Sequence, residues 1–276
     1  VKISIVTDST SDISPELAQE NDIHVIPAIL VIDGKSLEDG HGISRHELYA
    51  QLPSMKSPPS TAAPSSGTFQ KIYEQLLDEG SDHVISIHVS SLLSGMYNTA
   101  LVGAKAFGKR VHVVDSRHVS LGLGFQVLAA AQAVATGKAL TEIMKIIEAI
   151  RQHIHLVAML DTLEYARRSG RISWARSNLT TLFQIKPFLG IEGGKVIRMG
   201  EARTRQKGIE RLYHMLSSLN HIDQLAILHT NNEIEAHQMV ETFKTIVKQH
   251  PLIINVTSII GVHVGPNGLG FVAVTA

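Results

Sequence analysis

The stretch HVISIHVSSLLSGMYNTA, residues 83–100, sets the architecture. It opens with β-branched residues and passes through a serine-rich turn. Tyr97, Leu101 and Ala104 then follow at helical spacing. A strand, a polar turn and a helix in that order make one βα unit. The same order recurs around it. KISIVTD (2–8) reads as a strand, 14–20 as a short helix and HVIPAILVID (24–33) as a strand. SRHELYAQL (44–52) is a helix capped by Ser44, and FQKIYEQLLDEG (69–80) a helix stopped by Gly80. After the helix over 95–107 come the strand VHVVDS (111–116) and helices over 119–136 and 140–154. Strands separated by helices imply parallel βαβ units in a Rossmann-like, three-layer sheet.

The pattern then changes. HLVAML (155–160) is a strand, and DTLEYARRSG (161–170) a helix with Asp161 as cap and Gly170 as stop. IKPFLGIEGGKVIRMGEA (185–202) is a hairpin turning at Gly193-Gly194. A helix over 203–219, the strand QLAILHT (224–230) and a helix over 233–248 follow. INVTSIIGVHVGPNGLGFVAV (254–274) reads as two strands around a glycine-rich bend. The expected fold is therefore α/β in two domains, an N-terminal α/β domain over 1–160 and a C-terminal α+β domain over 161–276.

Composition narrows the function. Apolar residues make up 44% of 276, which suits a globular protein with a real core. No apolar run reaches the roughly 18 residues that span a membrane. Cysteine is absent, which fits a reducing cytoplasm. Lys plus Arg equals Asp plus Glu at 25 each, so there is no basic surplus for a nucleic-acid partner. Fifteen histidines are scattered without HExxH or paired metal spacing, so no metal or other cofactor is expected.

Three polar clusters fall at the carboxyl ends of strands: TDSTSD (7–12), SSLLSG (90–95) and DSRHVS (115–120). Ligands of open α/β sheets bind beyond those ends, so the clusters can converge on one cleft. Ser94 stands where a helix should begin. It lacks the Gly-x-Ser-x-Gly frame of a nucleophile elbow, since Leu92 and Met96 take the glycine positions. A serine hydrolase using Ser94 and His263, with Asp115 as orienting acid, is the alternative reading. The other is a donor to an anion at a helix N-terminus. Thr61, in the Pro- and Ser-rich loop 53–67, and His263, in the glycine-rich bend, could add polar contacts. A phosphosugar or nucleotide binder is disfavoured, because the chain has no GxxxxGK[ST] run and GLGF lacks the third glycine of a dinucleotide fingerprint.

Eight motifs in order carry a resemblance: TDSTSD (7–12), STAAPSSGTF (60–69), SSLLSGMYNTA (90–100), VDSRHVSLGLG (114–124), LEYARRSGRIS (163–173), IKPFLGI (185–191), ARTRQKGI (202–209) and GVHVGPNGLG (261–270). Across essentially its whole length the chain resembles the DegV family of fatty-acid-binding proteins, whose FakB branch supplies subunits of fatty acid kinase. The resemblance implies one long-chain fatty acid, such as palmitate, stearate or oleate, in an apolar tunnel at an interdomain cleft. It implies carboxylate contacts from Thr61, Ser94 and His263. Arg203 and Arg205, in the RTR run, and Arg171 are candidates for the carboxylate or for a partner. It further implies a non-catalytic carrier, with no catalytic residue of its own, that presents the acid to the ATP-using kinase catalytic subunit for acyl-phosphate formation. A transient contact with a membrane surface is compatible with that role. The chain departs from the family pattern at Ala62-Ala63, where Ser-Gln is common, and at Met96, where threonine is common.

Overall fold

The computed structural model describes residues 1–172, 185–245, 247–248 and 250–276; Ser173, at the end of the fifth motif, lies outside them. In chain order the first elements are β1 (Ile3–Asp8), α1 (Pro15–Glu20), β2 (Ile23–Ile26), β3 (Ile29–Ile32), β4 (Lys35–Glu38) and α2 (Arg45–Gln51). Then come β5 (Ser60–Ala62), α3 (Ser66–Asp78), β6 (His83–His88), α4 (Met96–Ala104), β7 (Val111–Asp115), α5 (Leu121–Ala135) and α6 (Leu140–Gln152). The remainder is β8 (Ile154–Met159), α7 (Glu164–Ser169), β9 (Lys186–Glu192), β10 (Lys195–Ala202), α8 (Arg205–Ser217), β11 (Ile222–His229), α9 (Glu233–Phe243), β12 (Leu252–Asn255), α10 (Ser258–Val264) and β13 (Leu269–Thr275).

Backbone packing divides the chain into two units, 1–29 with 61–152 and 30–60 with 153–276. The first unit holds a parallel sheet in the order β2-β1-β6-β7. From β1 the chain steps one way to β2 and later the other way through β6 to β7. The topological switch point, where α/β sheets bind ligands, therefore lies between β1 and β6. Val6, Ile85 and Ile87 are fully buried. Helix α3 buries Phe69, Tyr73, Leu76 and Leu77, spaced at helical intervals, and leaves its other face polar.

The second unit holds a six-stranded sheet, β10-β9-β8-β13-β11-β12, antiparallel except for the β11–β12 pair. Leu212 and Leu216 of α8 and Met239 and Val240 of α9 share its main core with Phe188, Ile227 and Phe271. A smaller cluster gathers Leu160, Leu163, Ala166, Ile172 and Leu189.

The pattern change suggested a single boundary near residue 160, whereas the packing also returns residues 30–60 to the second unit. Helix α2 fastens that segment. Leu48 and Tyr49 are buried, the Tyr49 hydroxyl donates to the Val256 carbonyl at 2.8 Å, and Arg45 donates to the Asn255 carbonyl at 2.5 Å. Three local readings are corrected. HVIPAILVID is two strands, β2 and β3, in different sheets; they part around Pro27, which has no N–H to give a ladder. Asp161 does not cap α7; it pairs with Lys186, while the Thr162 hydroxyl accepts from the Glu164 amide at 3.2 Å. SIIGVHV folds as the short helix α10 instead of continuing a strand.

Candidate ligand site

The three polar clusters do converge, and most of their side chains bond to one another. Asp8 and His88 are fully buried, with Oδ2 and Nδ1 2.9 Å apart. The other His88 nitrogen lies 2.6 Å from Ser86 Oγ, which lies 2.8 Å from the Tyr73 hydroxyl. Burial pushes the Tyr73 hydroxyl pKa up. The Asp8 carboxylate also accepts from the Val89 and Thr10 amides at 3.1 Å each. Asp8, His88 and Ser86 thus have the connectivity of a hydrolytic triad, but Ser86 is wholly buried inside the sheet and cannot meet a substrate. Asp115 accepts from Ser91 Oγ at 2.6 Å and from the Arg117 amide at 2.9 Å. Ser120 donates to Asp12 at 2.5 Å and gives its amide to the Thr10 carbonyl at 2.8 Å. The hub is a scaffold that holds the turn after β6 at the switch point.

Ser94 stands on that turn. The N-cap of α4 is Gly95, one residue later than the sequence reading, and Ser94 Oγ accepts a long 3.3 Å bond from the Met96 amide. The Tyr97 and Asn98 amides of the first turn meet no protein acceptor among the described residues. The Ser94 hydroxyl therefore stands beside free N–H groups at the positive end of a nine-residue helix. The Thr61 loop comes to the same place. A Cβ added to Gly95 would lie 3.9 Å from the Ala63 side chain. Thr61 is half-buried on β5, a strand where a plain loop was expected. Met96, one of the departures from the family pattern, is fully buried and belongs to the core.

His263 sits in the second unit, near the end of α10, where the sequence reading placed it in a glycine-rich bend. A tyrosine holds the backbone on each side of it. A Cβ at Gly261 would lie 2.3 Å from the Tyr49 hydroxyl, and one at Gly265 would lie 2.2 Å from the Tyr165 ring. Gly265 also has φ +78° and ψ 175°, a conformation that side chains strongly disfavour. His263 lines a cleft of about 260 Å³ with Tyr165, Arg168, Arg171, Met55 and Pro59. Burial and the nearby Arg171 charge push its pKa down to about 4, which keeps the ring neutral and makes it a weak base.

The candidate arginines separate. Arg205 is committed: its Nε donates to both oxygens of Glu235, at 2.8 and 3.0 Å, and it also donates to the Asn267 carbonyl at 2.7 Å. It braces the loop that follows α10. Arg203 is exposed and makes no ion pair among the described residues. Arg171 lines the cleft with His263, and Arg168 beside it pairs with Glu164. The cleft residues Tyr165 and Arg168 were inside a recognised motif, LEYARRSGRIS, yet only Arg171 drew attention there. Their spacing of three along α7 was the available signal. Among the described residues no group of three or more His, Asp or Glu could hold a metal ion, and no helix is long and apolar enough to cross a membrane.

A family profile described as "Uncharacterised protein, DegV family" matches residues 2–276. The chain belongs to the DegV family. A DegV domain-containing protein of Deinococcus radiodurans is 38% identical over 212 residues, 77% of this chain and 75% of that one. Among solved structures, a DegV family protein from Thermus thermophilus, described by its fatty acid binding, superposes with a TM-score of 0.92 at 30% identity, covering 100% of both chains. DegV from Bacillus subtilis, described as a fatty acid binding protein, superposes at 0.88 with 28% identity over 100% of this chain and 99% of the other. These DegV relatives establish the mixed α/β fold over the whole length.

Proposed function

We propose that this DegV protein binds one long-chain fatty acid and acts as a carrier. The observation that carries the proposal is full-length similarity to DegV structures described as fatty acid binding, above 25% identity. Ser94 and Thr61 are proposed as hydroxyl donors to the carboxylate, with the Tyr97 and Asn98 amides adding partial positive charge. His263 is proposed as a third contact on the family resemblance; as a neutral ring it can donate from one nitrogen. Arg171, on the His263 cleft, is the arginine proposed for the head group or a partner, and exposed Arg203 for a partner. Arg205 is proposed to support the α10 loop.

The energetics suit an amphiphile. Burying a methylene contributes about 0.8 kcal/mol, so a tail of about sixteen carbons supplies on the order of 10 kcal/mol before ordering costs. The head then needs only enough donors to offset desolvation of a carboxylate. Neutral donors leave that carboxylate reactive toward a phosphoryl donor, which suits presentation to a fatty acid kinase subunit. The hydrolase reading has less support: Asp115 is engaged by the Ser91 turn, and His263 is too weak a base.

Solvent extraction of the denatured, purified protein followed by mass spectrometry tests the carrier reading. A stoichiometric C14–C18 fatty acid is expected. A blank extract, together with no uptake of added palmitate or oleate, would reject it.

A further inference from the structure

At the amino-terminal edge of the parallel sheet, opposite the end that carries the Ser94 turn, two histidines face each other across neighbouring strands. His83 opens β6, and His112 is the second residue of β7. The register pairs Ile85 with His112, so His83 and His112 lie diagonally on one face. His83 Nδ1 and His112 Nε2 are 3.4 Å apart, with ring centroids 5.3 Å apart and planes at 54°. Two nitrogens at about 2.0–2.1 Å from one tetrahedral ion stand about 3.3–3.4 Å apart, so the spacing matches the bite of such an ion.

One further observation favours a ligand role. Both rings are half-buried, so they are partly ordered yet reachable. Arg110 is turned to the Ser81 and Asp82 carbonyls, and the Asp82 carboxylate accepts from the Lys2 amide.

We propose that His83 and His112 form a two-histidine site for a borderline transition-metal ion such as Zn²⁺, with water filling the remaining positions. The ion would clip β6 to β7 at their amino ends. It is independent of the fatty-acid reading, since neither histidine belongs to the Ser94 turn or the His263 cleft.

The test is Zn²⁺ titration calorimetry at pH 7.5 on the full chain, wild type against H83Q, H112Q and the double variant. The tightest Zn²⁺ site should weaken by about tenfold or more in each single variant and vanish in the double. Unchanged Zn²⁺ binding in the double variant would place the ion on other histidines and overturn the proposal. So would no binding to the wild type at millimolar Zn²⁺. Should a variant not fold, NMR of the wild type decides. Substoichiometric Zn²⁺ should shift the His83 and His112 ring resonances before those of other histidines, and shifts elsewhere first would reject the site.

Discussion

Replacing Gly265 by alanine tests how the structure positions His263. Two separate costs are expected. The backbone at φ +78°, ψ 175° is one that side chains strongly disfavour, which costs about 1–3 kcal/mol. The new methyl would also stand 2.2 Å from Tyr165 Cδ2 and 2.6 Å from Cε2, an overpacking worth about 1–3 kcal/mol. Gly265→Ala should therefore lose about 2–6 kcal/mol in urea unfolding. The Tyr165→Ala background separates the terms, because it removes the ring and leaves the backbone strain. There the same substitution should cost only about 1–3 kcal/mol. Equal costs in both backgrounds would show that the ring is not what the methyl meets. A loss under about 1 kcal/mol in both would refute the backbone argument as well.

Other outcomes follow from the same geometry. Asp8→Asn puts an amide against two of the donors that the carboxylate now satisfies inside the core. It should lose about 3–5 kcal/mol in urea unfolding, and a loss under about 1 kcal/mol would mean the hub is not a scaffold. Burial, then the Arg151 charge, lower the His118 pKa to about 4, so the unfolded chain binds the extra proton between pH 6.5 and 4. Stability should therefore rise with pH across that window, by about 3 kcal/mol from this group, and His118→Gln should flatten the slope in urea titrations at several pH values. Ser94→Ala and Thr61→Ala should each weaken fatty-acid binding several-fold with little change in stability, read by displacement of a fluorescent fatty acid; unchanged affinity in both would remove the carboxylate assignment.

How much was legible depended on distance along the chain. The β/α alternation of the first unit was readable because each element carries its own periodicity. Ser44 was readable as a cap because its partner, Glu47, is three residues away, and the structure closes both bonds of that capping box. The turn at Gly193-Gly194 was legible for the same reason. Helix α10 was not. Its valines and isoleucines favour a strand, and it is held by Tyr49, more than 200 residues earlier, and by Tyr165. The site divides in the same way. Ser94 stood out from its immediate neighbours. Arg205 looked like a ligand residue because nothing local announced Glu235, thirty residues on. The Asp8–His88 pair spans eighty residues, so no short window contains it.

The strand order of the second unit also bears on how the protein is made. β13 lies inside the sheet, between β8 and β11, yet it is synthesised after every strand it joins. At about 5–20 residues per second, α2 waits on the order of 10–40 seconds before β12 and α10 exist to receive it. During that interval Leu48, Tyr49 and the inner edges of β8 and β11 lack their final cover. The first unit is complete by residue 152 and can fold while the other is still waiting. A ribosome stalled between residues 230 and 268 would therefore display one finished unit and one open sheet. Those unpaired strand edges are where a chaperone would be needed.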